Sequence, residues 1–257
     1  MYLDEILAQH RELARLDERN LKSLINDVAA LPRARGFESQ LRRESATKLA
    51  VIAEIKRRSP SRGALNPDLV ASDVATQYSL GGASCLSVLT DEHFFGGSVS
   101  DLQSARDAID LPVLRKDFTV SLNDVCDARL MGADCVLLIV AALSTHEITE
   151  FKKLADELSL DALVEVHDEP ELEIALKIGA TLIGVNQRDL KTFEVDHQRA
   201  VRMAAQMPRN VVRIAESGVR TQADAKSLRD AGYHAVLVGE SLVTAQNIAT
   251  AVGDLRV

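Results

Sequence analysis

The chain has 257 residues, 46% of them hydrophobic, with 38 acidic against 30 basic side chains and a formal net charge of -8 at pH 7. That length can bury one large core, and that charge argues against a general nucleic-acid or anionic-membrane surface. No apolar run approaches a membrane span, the start MYLDEILAQHREL lacks a signal-peptide core, and Cys85, Cys126 and Cys135 show no CxxC spacing; an unexported, cytoplasmic protein with reduced, packed thiols is expected.

Residues 1–48 carry mixed charge and a helical apolar recurrence through Leu13, Leu16, Leu21, Leu24, Ile25, Val28 and Leu31, ended by Pro32. The pattern predicts one or two amphipathic helices covering one end of the main fold, then a short connection from Gly36 to Glu44. Strand-like apolar runs follow at 49–53, 85–89, 113–115, 135–140, 162–166, 182–185, 211–215 and 235–238. Helix-like segments separate them at 67–80, 98–109, 122–131, 145–158, 170–178, 197–206 and 222–231, with a last one from about Leu242. Strict alternation means parallel strands joined by crossover helices, and eight units predict a closed α/β barrel of the (β/α)8 TIM type over 49–257, preceded by a helical extension over 1–48. An internal echo supports the count: GGASCLSVL, MGADCVLLI, IGATLIGVN and AGYHAVLVG place Gly82, Gly132, Gly179 and Gly232 at intervals of 50, 47 and 53 residues, each where a helix ends before a buried strand.

The strand ends hold the chemistry. Glu54 and Lys56 close the first run at i and i+2, a spacing that sends both side chains to the same side. Lys116, Glu165, Asn186 and Glu216 close others, while the fourth run ends in apolar Val140 and Ala141. In this architecture all carboxyl ends converge on one face, so these residues are expected to ring a single mouth suited to proton transfer and anion binding. Gly218 in ESGV and Gly239 in VGES follow the last two strands, where backbone N–H groups can meet a phosphate. Phe95 and Phe118 put aromatic bulk in mouth loops, fit to cover an apolar ligand or to plug gaps. His10, His93 and His146 are expected to face water; His167, Asp168 and Glu169 form a helix-entry charge cluster with no metal-ligand spacing.

The motifs EIKRRSPSRG, LTDEHFFGGS, LRKDF, LVEVHDE, GVNQRDLKTF, ESGV and LVGESL, in that order from residue 54 to 242, resemble those of indole-3-glycerol phosphate synthase. The resemblance implies a lyase of tryptophan biosynthesis. Its substrate is 1-(2-carboxyphenylamino)-1-deoxyribulose 5-phosphate, whose pyrrole ring it closes with loss of carbon dioxide and water and with no metal or organic cofactor. It further implies Lys116 as general acid, Lys56 on the substrate carboxylate, Glu165 and Glu54 as a proton relay, and Asn186 and Arg188 on the intermediate's hydroxyl groups. Phe95 and Phe118 would border the aromatic ring, with Glu216 beside the substrate and Ser59, Ser217, Gly218 and Gly239 lining the phosphate and sugar pocket. Glu240 departs from the serine that some members carry there. The expected partner is a small phosphorylated anion, with neither nucleic acid nor membrane, and the chain itself a monomer or weak homo-oligomer. A phosphoribosylanthranilate isomerase-type barrel, which works with a Cys and Asp pair at strand ends, fits less well, because Lys56 and Lys116 occupy two ends and no cysteine follows the first strand. A non-catalytic scaffold would show a broken mouth, and here the ionisable positions are filled.

Overall fold

The computed structural model of the protein describes residues 2–59, 62–189 and 192–257. Pro60, Ser61, Leu190 and Lys191, which belong to two of the motifs, lie outside the described residues. Eight strands form a closed parallel barrel: β1 (Ala50–Ile55), β2 (Cys85–Leu89), β3 (Val113–Lys116), β4 (Cys135–Ile139), β5 (Asp161–Val166), β6 (Leu182–Asn186), β7 (Val212–Glu216) and β8 (Ala235–Val238). Each pairs with its neighbours in sequence, and β8 returns to β1 with Ala50 opposite Ala235. The strands read as near-continuous apolar runs because both faces are covered, by barrel interior on one side and helices on the other; every residue of β1 is buried.

The crossover helices form where their caps stand. Ser121, Ser144 and Thr221 each build a capping box that satisfies the first-turn N–H groups of the helix behind it. At the other ends Gly82, Gly132, Gly179 and Gly232 take φ of 85°, 100°, 76° and 92°, a left-handed turn that releases each helix into the next strand. After β8 the single predicted helix is two, Glu240–Val243 and Ile248–Leu255.

The N-terminal region differs more. It holds three helices, α1 (Tyr2–Leu16), α2 (Leu21–Ala29) and α3 (Phe37–Ser45), and the supposed connection from Gly36 to Glu44 is the third of them. Phe37 and Leu41, one turn apart and fully buried, plug the amino end of the barrel. There the Glu38 N–H donates to Asp161, the first residue of β5, at 2.9 Å. Within the predicted stripe only Leu24 and Val28 are buried; Leu13 and Leu16 stand 58% and 59% exposed. Ile6, 2% exposed, and a set of polar contacts tie α1 down instead. Arg11 pairs with Glu147 at 2.7 Å, and His10 Nε2 lies 2.9 Å from Asp91 Oδ2. The extension thus reaches both ends of the barrel rather than one.

Two small elements escaped the periodicity: a hairpin pairing Arg58–Ser59 with Gly63–Ala64, and a one-turn helix, Glu92–Phe95. Arg57 holds the Asp101 carboxylate and donates to the Leu69 carbonyl at 2.9 Å, and Arg58 donates to the Glu92 carbonyl at 2.9 Å. These bonds strap the loop after β1 onto the loop after β2.

Candidate active site

At the carboxyl ends of the strands a water-accessible cavity of about 190 Å³ opens. Every residue to which the resemblance gives a role lines it: Glu54, Lys56, Ser59, Phe95, Lys116 and Phe118 from the first half of the barrel, Glu165, Asn186, Arg188, Glu216, Ser217, Gly218 and Gly239 from the second. Register does the placing. Ile139 pairs with Glu165, Glu165 with Gly184, and Asn186 with Glu216, so side chains far apart in sequence arrive at one height around the mouth.

Lys116 is the centre. Its Nζ donates to Glu165 Oε2 at 2.8 Å and to Glu216 Oε2 at 3.2 Å. Burial pulls the ammonium toward its neutral form, but Glu165, Glu216 and Glu54 outweigh it and raise Lys116 well above the ordinary lysine range. Two buried carboxylates sharing one cation do not ionise equally. Glu165, which burial alone would raise, is held well below the usual range by Lys116 and His167. Glu216, raised first by burial and then by Glu165 against the pull of Lys116, is pushed up to about 8. Of the two carboxyls Glu216 is thus the one that takes up a proton more readily, and its buried Oε1 has no hydrogen-bond partner among the described residues. Gly184 makes room for it: a Cβ there would lie 2.0 Å from Glu216 Oε1.

Asn186 is clamped on both sides. Its amide donates to Glu165 Oε1 at 3.2 Å, and its carbonyl accepts from Ser217 Oγ at 2.8 Å and from the Arg188 N–H at 3.0 Å. Across the mouth Lys56 Nζ lies 2.5 Å from Glu54 Oε1. That carboxylate explains Gly239, where a Cβ would come within 2.4 Å of the same oxygen. Gly218 has φ of 80° and would press a Cβ to 2.6 Å from Val195, directly after Ser217, itself held at φ 67°. Both glycines thus answer to protein neighbours as well as leaving backbone open to the cavity.

Phe95 and Phe118 stand with ring centroids 6.3 Å apart. Leu137 and Ile139 of β4, the strand whose apolar end had carried no assignment, add apolar lining to the cavity. Ser59 Oγ is buried at the wall, with no hydrogen-bond partner among the described residues. At the rim the Glu240 carboxylate faces Arg62 at 3.2 Å, Arg220 at 3.9 Å and Arg188 at 4.0 Å, so it turns toward cations. Arg220 lines the cavity and Arg62 stands beside it; only the folded loops bring the two together at Glu240.

His10 is not the water-facing residue expected. It reaches the mouth from α1, with its ring 5.5 Å from Phe118 and Asp117 Oδ1 at 3.8 Å beyond Asp91. Arg115 also contacts Asp117, at 3.1 Å, and supplies positive charge to that acidic pair. Asp168 is indeed a helix cap, accepting the Glu171 N–H at 2.9 Å, while His167 turns back to Glu165, with Nε2 3.4 Å from Oε1. His93 and His146 are exposed.

Fold and site define a (β/α)8-barrel enzyme with lysines and carboxylates gathered at its carboxyl mouth. A sequence model described as indole-3-glycerol phosphate synthase matches residues 3–255. A protein of Chloroherpeton thalassium named indole-3-glycerol phosphate synthase is 47% identical over 251 residues, covering 96% of each chain. The chain belongs to the indole-3-glycerol phosphate synthase family and is a carboxy-lyase. Among solved structures, 3-hexulose-6-phosphate synthase superposes with a TM-score of 0.64 at 16% identity, covering 80% of this chain and 98% of its own. The thiamine phosphate pyrophosphorylase of Pyrococcus furiosus gives 0.61 at 17% identity, covering 82% and 95%. These two share the fold.

Proposed function

We propose that the cavity residues act as one unit on 1-(2-carboxyphenylamino)-1-deoxyribulose 5-phosphate. The family reaction joins the ring carbon that bears the carboxylate to the ketone carbon, expels carbon dioxide, and then loses water to give indole-3-glycerol phosphate. The observation that carries the reading is Lys116 Nζ, held between Glu165 and Glu216, with apolar Leu137 and Ile139 and the Lys56–Glu54 pair in the same cavity.

Closure turns the ketone oxygen into an alkoxide, and Lys116, cationic at any working pH, donates to that oxygen as its charge develops. The bond to the carboxylate held by Lys56 then breaks: carbon dioxide departs and leaves its bonding electron pair behind to restore the aromatic ring. Water then leaves with a proton from an acid, and the adjacent carbon yields its proton to a carboxylate. Glu165 and Glu54, paired with the two lysines, serve that relay, with Asn186 holding Glu165. Phe95 and Phe118 border the benzoid ring. Arg188, Glu216 and Ser217 line the ribulose chain, and Ser59, Gly218 and Gly239 receive the phosphate, with Arg62 and Arg220 supplying charge.

As an architectural proposal, residues 1–48 are an extension added to the catalytic unit 49–257. No helix among the described residues is long and apolar enough to cross a membrane; a cytoplasmic enzyme, monomeric or a weak homo-oligomer and without nucleic-acid partners, is part of the proposal. The test is turnover of the substrate to a fluorescent indole in buffer with chelator. Lys56→Ala and Lys116→Ala are expected to lose activity, and a dephosphorylated substrate to bind far more weakly. Wild-type turnover in both variants would refute the reading.

A further inference from the structure

His167 is a largely covered titratable group, its side chain 11% exposed, to which the chemistry above gives no task. It stands two residues after Glu165 at the end of β5, so strand alternation sends both side chains toward the mouth. Its Nδ1 lies 3.0 Å from Glu171 Oε2, and the same oxygen accepts the His167 backbone N–H at 2.7 Å. Glu171 occupies the first turn of helix Glu169–Lys177, behind the Asp168 cap. A glutamate at that position ordinarily turns back to the cap residue's own N–H. Here it reaches one residue further, to the imidazole. The Nε2 on the far side is buried, 3.4 Å from Glu165 Oε1, and makes no hydrogen bond among the described residues.

The charged groups facing the ring are Glu165 on its own strand and Glu171 on the following helix. The adjoining turn, Val140–Ala142, is apolar, and Lys116 lies beyond Glu165. Burial favours the neutral imidazole, but the two carboxylates outweigh it and push His167 up to about 9. The ring thus stands as an imidazolium between two carboxylates, one outside the mouth and one inside it.

We infer that His167 is a positioning residue for Glu165: Glu171 anchors the imidazolium through Nδ1, and Nε2–H keeps the Glu165 carboxylate ionised and turned toward Lys116. The inference rests on the reading of Glu165 as an acid–base carboxylate. Loss of the ring's charge lets Glu165 take up a proton at higher pH, so the acid limb of kcat moves upward.

The experiment is kcat against pH, followed by indole fluorescence, for the wild type, His167→Gln and Glu171→Gln, with Glu165→Gln alongside. His167→Gln is expected to shift the acid limb up by roughly one pH unit or more, Glu171→Gln to shift it less, and KM to change little in either. A limb that stays put in both variants, or a kcat lowered equally at every pH, overturns the positioning role while leaving Glu165 its own. Near wild-type turnover by Glu165→Gln overturns the reading of Glu165 and the inference with it. Should His167→Gln fail to fold, NMR titration of the wild-type imidazole decides. A midpoint near 9 that drops in Glu171→Gln upholds the arrangement, and one near the ordinary value of about 6.5 refutes it.

Discussion

Lys116 and its two carboxylates show why a buried ion cluster is better read as machinery than as stabilisation. Taking these charges out of water costs more than their pairing reliably returns, yet all three line the cavity proposed to hold the substrate. Replacing Lys116 with alanine is expected to leave the barrel folded and to lower kcat by roughly a hundredfold to ten-thousandfold, as when a general acid is removed. Gly184→Ala offers a subtler probe, because the new Cβ would sit 2.0 Å from Glu216 Oε1 and must push that carboxyl aside. Displacing a group by about 1 Å costs on the order of a hundredfold in rate, so steady-state kcat should fall while the thermal midpoint moves little; unchanged kcat would show that Glu216 need not hold its place. At this scale most of the site was legible in the sequence. Glutamates and lysines that close apolar runs have few structural reasons to be there. Gly184 was not legible, because a glycine inside a strand reveals its purpose only through a neighbour from the next strand.

Among the elements, α3 carries the most consequence for its length. Phe37 and Leu41 are fully buried against β1, β2 and β7, and truncation of such a phenylalanine to alanine typically costs about 3–5 kcal/mol. Phe37→Ala should show that loss in denaturant unfolding, whereas Leu13→Ser, on an exposed position, should stay within about 0.5 kcal/mol. The helix escaped sequence reading because FESQLRRES carries only two apolar residues, too few to mark a period, and the longer stripe through Leu13 and Leu16 drew the eye to residues that are exposed.

The docking of α1 should depend on pH. Burial works against the His10 cation, but its bond to Asp91 and the charge of Asp117 raise its pKa. Its contribution is full below the unfolded value of about 6.5 and is lost as pH rises through the raised folded value. Asp91, which burial would raise and His10 lowers, contributes above its unfolded value of about 3.9 and fails as pH falls through its lowered folded value. Protection of the α1 amides, corrected for the intrinsic pH dependence of exchange, is therefore expected to be greatest between those limits and to fall on the alkaline side. His10→Gln should abolish the alkaline change, and a change that persists in that variant would assign it to other groups. No spacing rule could announce a pairing between residues 81 apart.

Over the whole molecule, the barrel converts distance along the chain into adjacency. The eightfold alternation was plain because buried parallel strands must be apolar throughout and their helices must return over the sheet. The loops were less plain: the Arg58–Ala64 hairpin and the arginine rim around Glu240 depend on how separate segments meet. A chain of net charge -8 that takes an anion must rely on that local rim. KM is therefore expected to climb with ionic strength while kcat holds, as screening weakens exposed charge contacts. A salt-independent KM would place the anion's affinity in the backbone loops alone.

Lys116 and Glu165, on strands β3 and β5, are proposed to act as one catalytic unit. The most direct measurement is kcat for Lys116→Ala, Glu165→Gln and the double variant, each checked for an unchanged fold. Residues that act together lose nearly everything with the first removal, so the double variant should be about as slow as the slower single one. Losses that multiply would show two independent residues and contradict the account.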